Sequence, residues 1–233
     1  MNAGVAWGIE GKEAMFRAIA VRTALICALT VCSASFGAIA RVNFESPSLI
    51  VGTGFGSSAG NSAGQVIPSL GLDGTQPSGI QVSLESFHFG SFTGLYRAEV
   101  HAPGTDFMAT KHMYLDNINL GFNFAGVGFP VNQVTIDYRE FGGVDNFSVN
   151  GGPLIELPAM TNLSPNVAPG VIASVGSDSI TLIGPVSRFV IGGQELAVDN
   201  IVAVPEPTCL ALLGVGGFAL IGAMRRSPTR RQR

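Results

Sequence analysis

A chain of 233 residues with 46% hydrophobic and only 12% charged side chains carries about half the charge of an ordinary soluble protein, and its length allows one domain with flanking segments, or at most two small domains. Residues 41–203 hold five basic and thirteen acidic side chains, a formal charge of −8; this excludes nucleic acid as a partner of the middle of the chain, because phosphate contacts need clustered Lys and Arg. Cys27, Cys32 and Cys209 all lie outside that stretch, which excludes a disulfide framework or a thiolate metal site within it.

The first element is an export signal. Arg17 and Arg22 supply a positive region, residues 23–31 an apolar run, and Ala38-Ile39-Ala40 a small-residue cleavage site. This pattern predicts a signal-peptide helix within residues 1–40, cleaved after Ala40, with Gly37 as the alternative. Residues 1–14 contain Glu10 and Glu13 and do not read as part of the signal, so translation is expected to start at Met15. A lipoprotein signal ending at Cys32 fits less well, because Val31 is bulky where such signals place a small residue.

From residue 41 to 203 the pattern changes to short runs of β-branched and aromatic residues between turn signals. Strands are expected at 41–44, 79–85, 96–102, 113–124, 131–140, 145–150, 179–183, 187–191 and 195–202. Val134, Ile136 and Tyr138 alternate with Thr135, Asp137 and Arg139, the period of a half-buried strand. Asn150-Gly151 reads as a hairpin turn and Gly192-Gly193 as a break between strands. Residues 52–64 and 157–170 read as loops. No stretch keeps a capped 3.6-residue period. The expected fold is all-β, an antiparallel β-sandwich with a jelly roll as the first choice.

The chemistry within this domain is sparse. Gly56-Ser57-Ser58-Ala59-Gly60 has the G-x-S-x-G spacing of a hydrolase elbow, and residues 54–59 resemble a dinucleotide fingerprint. Both need a helix behind the glycines, and Asn61-Ser62-Ala63-Gly64 does not start one. His88, His101 and His112 lack the spacing of a metal motif, although His101 and His112 flank a possible hairpin. Asp137 and Glu140 are close in sequence, but a glycosidase requires two carboxylates facing each other across a cleft. No catalytic residues are assigned, and no enzyme is expected. Sugar platforms would have to come from Tyr96, Tyr114, Tyr138 or phenylalanines such as Phe87, Phe89 and Phe92, since the single tryptophan, Trp7, precedes the domain.

The chain closes with Pro205-Glu206-Pro207, an apolar run over residues 208–224, and Arg225-Arg226 followed by further arginines. Seventeen apolar residues are the short limit for a transmembrane helix, and the arginines behind it place the preceding domain outside the cytoplasm. This three-part end, residues 204–233, resembles the PEP-CTERM sorting signal of Gram-negative bacteria, with Pro205, Glu206 and Pro207 as the triplet and Arg225 and Arg226 opening the basic cluster. The resemblance implies recognition by an exosortase, transient attachment to the inner membrane, and delivery to the cell surface or the extracellular polysaccharide of a biofilm.

A second resemblance concerns the domain itself. Val42-Asn43-Phe44-Glu45 at its start and Leu196-Ala197-Val198-Asp199-Asn200-Ile201 at its end are similar to the terminal strands of jelly-roll carbohydrate-binding and lectin-like domains. The resemblance implies that these strands pair and that Glu45 and Asp199 are metal ligands for a structural calcium. Calcium takes six to eight oxygens, so carbonyls and other acids would have to join them. The domain is thus expected to bind extracellular polysaccharide or a surface partner. The alternative is a structural component of the matrix, and a glycan-active hydrolase ranks last. An exposed row of aromatic rings beside polar groups discriminates for the first.

Overall fold

The computed structural model describes residues 39–205. The expected signal-peptide helix, the transmembrane helix at 208–224, and Glu206, Pro207, Arg225 and Arg226 lie outside the described residues. Within them the chain is almost entirely strand. The first half runs β1 (Ala40–Val42), β2 (Gly54–Phe55), β3 (Leu72–Asp73), β4 (Gln76–Pro77), β5 (Gln81–Glu85), β6 (Phe87–Phe89), β7 (Phe92–Gly94), β8 (Arg97–His101), β9 (His112–Asp116) and β10 (Ile118–Asn123). The second half runs β11 (Val131–Val149), β12 (Ile155–Leu157), β13 (Asn166–Ala168), β14 (Val171–Val175), β15 (Ser179–Ile183) and β16 (Arg188–Pro205). Three single 3-10 turns are the helical content of these residues.

Two long strands organise the sheet. β11 and β16 pair antiparallel from Val131↔Pro205 to Val149↔Phe189. Their neighbours change along the way. The first half of β11 carries β15, β14 and β13 in turn, and its second half carries β12. The other edge of β16 pairs with β10 over Arg188–Gly193, with β9 over residues 196–198 and with β1 over residues 201–203. β5 extends the sheet beyond β10, and β8 and β2 extend it beyond β9. Strands that change partners at bulges turn the corner between packed layers. The register of β11 on β16 slips between Glu140 and Gly142 and again between Gly142 and Asp145. Buried residues from every part of the sheet form one cluster, including Val134, Ile136, Tyr138, Leu120, Phe122, Phe147 and Phe189. Each such side chain contributes about 1.5–3 kcal/mol by leaving water.

The all-β expectation and the antiparallel pairing hold, and several strand boundaries change. Val134, Ile136 and Tyr138 are buried and alternate with half-buried neighbours, as the period requires. Asn150 (φ 55°) and Gly151 (φ 72°) form the expected turn, and Gly152 N–H closes it on the Val149 carbonyl at 3.0 Å. Residues 113–124 are two strands, split at Asn117 in the left-handed region (φ 51°). The expected strands 131–140 and 145–150, in contrast, merge into the single strand β11, which ends at Val149. Gly192-Gly193 is no break, because β16 runs straight through it. A side chain at Gly192 would collide with Asn119 Oδ1 and the Ile118 carbonyl, so the glycine serves close approach of β10 rather than a turn. The 157–170 segment contains part of β12, a 3-10 turn and β13 instead of a plain loop.

Candidate functional site

His101 ends β8 and His112 begins β9, and the two are direct partners across this hairpin. Residues opposite each other in adjacent strands project from the same face, which places both imidazoles together at the hairpin mouth. The loop between them folds back on itself: Met108 N–H donates to the Thr105 carbonyl at 2.9 Å and Gly104 N–H to the Met108 carbonyl at 2.8 Å. At its tip Asp106 (φ 50°) and Phe107 (φ 56°) both adopt the left-handed conformation, which costs non-glycine residues on the order of 1–3 kcal/mol each. This geometry turns Asp106 inward, where Oδ2 meets both His101 Nδ1 and His112 Nε2, the latter at 3.0 Å. The three ligand-type atoms lie within 4.8 Å of one another. Burial would raise the Asp106 carboxyl, but the hydrogen bonds and charge of His112 and His101 outweigh it and hold the group below its ordinary pKa.

The spacing argument against a histidine metal site therefore fails for His101 and His112. Their eleven-residue separation is a hairpin separation, and register, rather than sequence proximity, brings them together. Asp106 gave no sequence signal, since nothing in its neighbours announces a left-handed loop tip. His88 lies in the β6–β7 hairpin and is not part of this cluster.

A row of rings leads away from the cluster. His101 stacks on Tyr114 with centroids 4.8 Å apart and planes 1° from parallel. Tyr114 meets Phe141 at 6.1 Å, and Phe141 meets Phe107 at 6.4 Å. Phe107 is 85% exposed and Phe141 37% exposed, so the outer end of the row faces solvent. Burial, together with the charge of Glu195 and Asp106, raises the Tyr114 phenol above its ordinary pKa. Of the other rings considered as platforms, Tyr138 is buried and donates its hydroxyl to the Gly176 carbonyl at 2.8 Å. Phe87 is buried, while Phe89, Phe92 and Tyr96 are about half exposed. Phe107 and Phe141 were not among the sequence candidates, because an isolated Phe usually reads as core.

Glu45 and Asp199 both hydrogen-bond the residues that lead into His112. Lys111 N–H donates to Glu45 Oε1 at 2.9 Å, and Thr110 Oγ1 donates to Asp199 Oδ2. The two carboxylates are thus tied to successive residues. Asp199 is buried, and among the described residues its Oδ1 has no hydrogen-bond partner. Burial pushes its carboxyl up to about 6 despite the Thr110 and Asn200 hydrogen bonds. The Ser46 and Leu49 carbonyls beside Glu45 accept from the Lys111 ammonium at 3.0 and 2.9 Å. Two carbonyls beside Glu45 are thus taken up by an ammonium.

Asp137 and Glu140 are not joined. Asp137 accepts from Asn200 Nδ2 at 3.0 Å, whereas Glu140 accepts the Met160 N–H at 3.2 Å and interacts with Asp145. Asp145 is 0% exposed, and burial followed by the Glu140 charge pushes its carboxyl up to about 8. A paired, perturbed carboxyl of this kind marks catalytic sites in open clefts. Here no surface of Asp145 is accessible to a sugar. Gly56–Gly60 forms one 3-10 turn with no α-helix behind it. No protein-family model matches this chain, and a comparison with curated proteins finds no match.

Proposed function

We propose that this chain is an exported surface protein whose β domain binds extracellular polysaccharide along the ring row Phe107–Phe141–Tyr114–His101. That row is the observation that carries the reading. Flat rings offer the apolar face a sugar needs, and Asp106 beside them offers hydrogen bonds to its hydroxyls. The formal charge of −8 over residues 41–203 repels polyanions and selects a neutral glycan. Pairing of the first and last strands, β1 on β16, supports the jelly-roll kinship and with it a structural calcium at Glu45 and Asp199. Export, exosortase recognition and transient attachment to the inner membrane rest on residues 1–40 and 204–233 alone.

Titration of the purified full chain with neutral and uronic-acid polysaccharides tests the binding role. Neutral glycan binding that weakens roughly 2- to 10-fold in Phe107→Ala and again in Tyr114→Ala is expected, the loss of about 0.5–1.5 kcal/mol per ring. Binding indifferent to both substitutions, or no binding to any polysaccharide, would remove the row as the site. A purely structural matrix role would then replace it.

A further inference from the structure

We propose that His101, Asp106 and His112 bind a divalent first-row transition ion, zinc in the first instance, at a site that shares His101 and Asp106 with the glycan reading but does not rest on it. The argument starts from His112, whose side chain is 0% exposed. Its Nδ1 lies 3.0 Å from the Thr110 carbonyl, and a carbonyl only accepts, so Nδ1 carries the proton. In the neutral ring Nε2 is then a lone pair, and it faces Asp106 Oδ2 at 3.0 Å. Two acceptors at hydrogen-bond distance require a positive charge between them. Either a second proton sits there or a metal ion does.

Three features favour the ion. A ring nitrogen donating to a backbone carbonyl is the arrangement that orients metal-binding histidines and raises the basicity of the other nitrogen. The third group, His101 Nδ1, converges on the same carboxylate oxygen from the opposite strand. The loop also holds Asp106 and Phe107 in strained left-handed backbone to deliver that oxygen, and such strain persists where the surroundings impose it. Two imidazoles and one carboxylate suit zinc and its neighbours and not calcium or magnesium, which take oxygen alone. Ligand bonds of about 2.0–2.2 Å place tetrahedral ligand atoms roughly 3.3 Å apart; the three atoms lie within 4.8 Å of one another, and an ion between them requires His101 Nδ1 to draw back from Asp106 Oδ2. His101 and Asp106 each retain about a quarter of their side-chain exposure, which leaves the fourth position to water. The ion would fix the loop that carries Phe107.

The experiment strips the purified full chain with a chelator, then titrates it with zinc(II) by calorimetry and with cobalt(II) by visible absorption. One ion per chain is expected, with cobalt bands of a nitrogen and oxygen set. His101→Ala and Asp106→Asn, both at partly exposed positions, are each expected to weaken zinc by more than about 100-fold, beyond the loss typical of a residue that only orients a ligand. His88→Ala, the remaining histidine of the chain, and Asp199→Asn are expected to leave the affinity within twofold. Circular dichroism of each variant separates loss of a ligand from loss of the fold. Absence of saturable zinc binding, or binding unchanged in both His101→Ala and Asp106→Asn, would overturn the site.

Discussion

Asp145 is pushed further above its ordinary pKa than Asp199, the other buried carboxyl raised by desolvation. Between about pH 4, where an unfolded carboxyl titrates, and about pH 8, where this one does, the folded state holds a proton that the unfolded state has lost. Stability attributable to this group is therefore complete below pH 4 and falls as pH rises through that window. Asp145→Asn keeps the neutral shape and removes the titration. The variant is expected to match the wild type near pH 4 and to exceed it at pH 9 by up to about 5 kcal/mol, the equivalent of a shift from about 4 to about 8. Thermal melting of both chains across pH 4–9 reads the difference directly. Parallel melting curves at all pH values would show that Asp145 is not a buried neutral acid. The sequence offered Asp137 with Glu140 instead, because adjacency is all it displays. Two register slips between Glu140 and Asp145 created the real pair.

Strands were legible wherever one face is core and the other solvent. β5, β8, β15 and the start of β11 read correctly because alternation survives there. The glycines misled, since Gly192 spares a clash while Gly151 makes a turn, and sequence writes both as a break. The short strands β2, β12 and β13 were invisible, being two or three residues long and held by their partners rather than by their own pattern. Terminal pairing was legible through a resemblance, and the calcium implied with it is tested at this scale. Glu45 follows β1, Asp199 lies inside β16, and Asp199 Oδ1 is the buried oxygen without a donor. Calcium bound only to the folded chain at a hundredfold excess over its dissociation constant stabilises by ~2.7 kcal/mol, a rise in melting temperature of roughly 5–10 °C for a domain of this size. Asp199→Asn is expected to abolish the rise and His101→Ala to retain it. An unchanged melting temperature in the wild type would leave the Lys111 ammonium as the cation of that corner.

For the whole molecule, position along the chain matters more than any single contact. The proposed binding surface was not legible because its parts, His101, Asp106, Tyr114 and Phe141, come from two strands, a loop and a bulged third strand. Only the folded register assembles them. The ends are a different case: the export and sorting proposed for them rest on linear sequence alone, and all but Ile39, Ala40, Val204 and Pro205 of residues 1–40 and 204–233 lie outside the described residues. β16 ends at Pro205, the first residue of the Pro-Glu-Pro triplet, and Pro205 faces Val131 across the sheet. Glu206 and Pro207 lie outside the described residues. Conversion of Glu206 to Ala leaves the described sheet untouched and alters only the central residue of the triplet. Expressed in the producing cell, the variant is expected to accumulate as an unprocessed, membrane-held form while the wild type appears at the surface in shortened form. Cell fractionation with an antibody to the domain distinguishes the two. Maturation of Glu206→Ala at the wild-type rate would mean that the tail is a plain anchor, and the route to the extracellular polysaccharide would have to lie elsewhere in the chain.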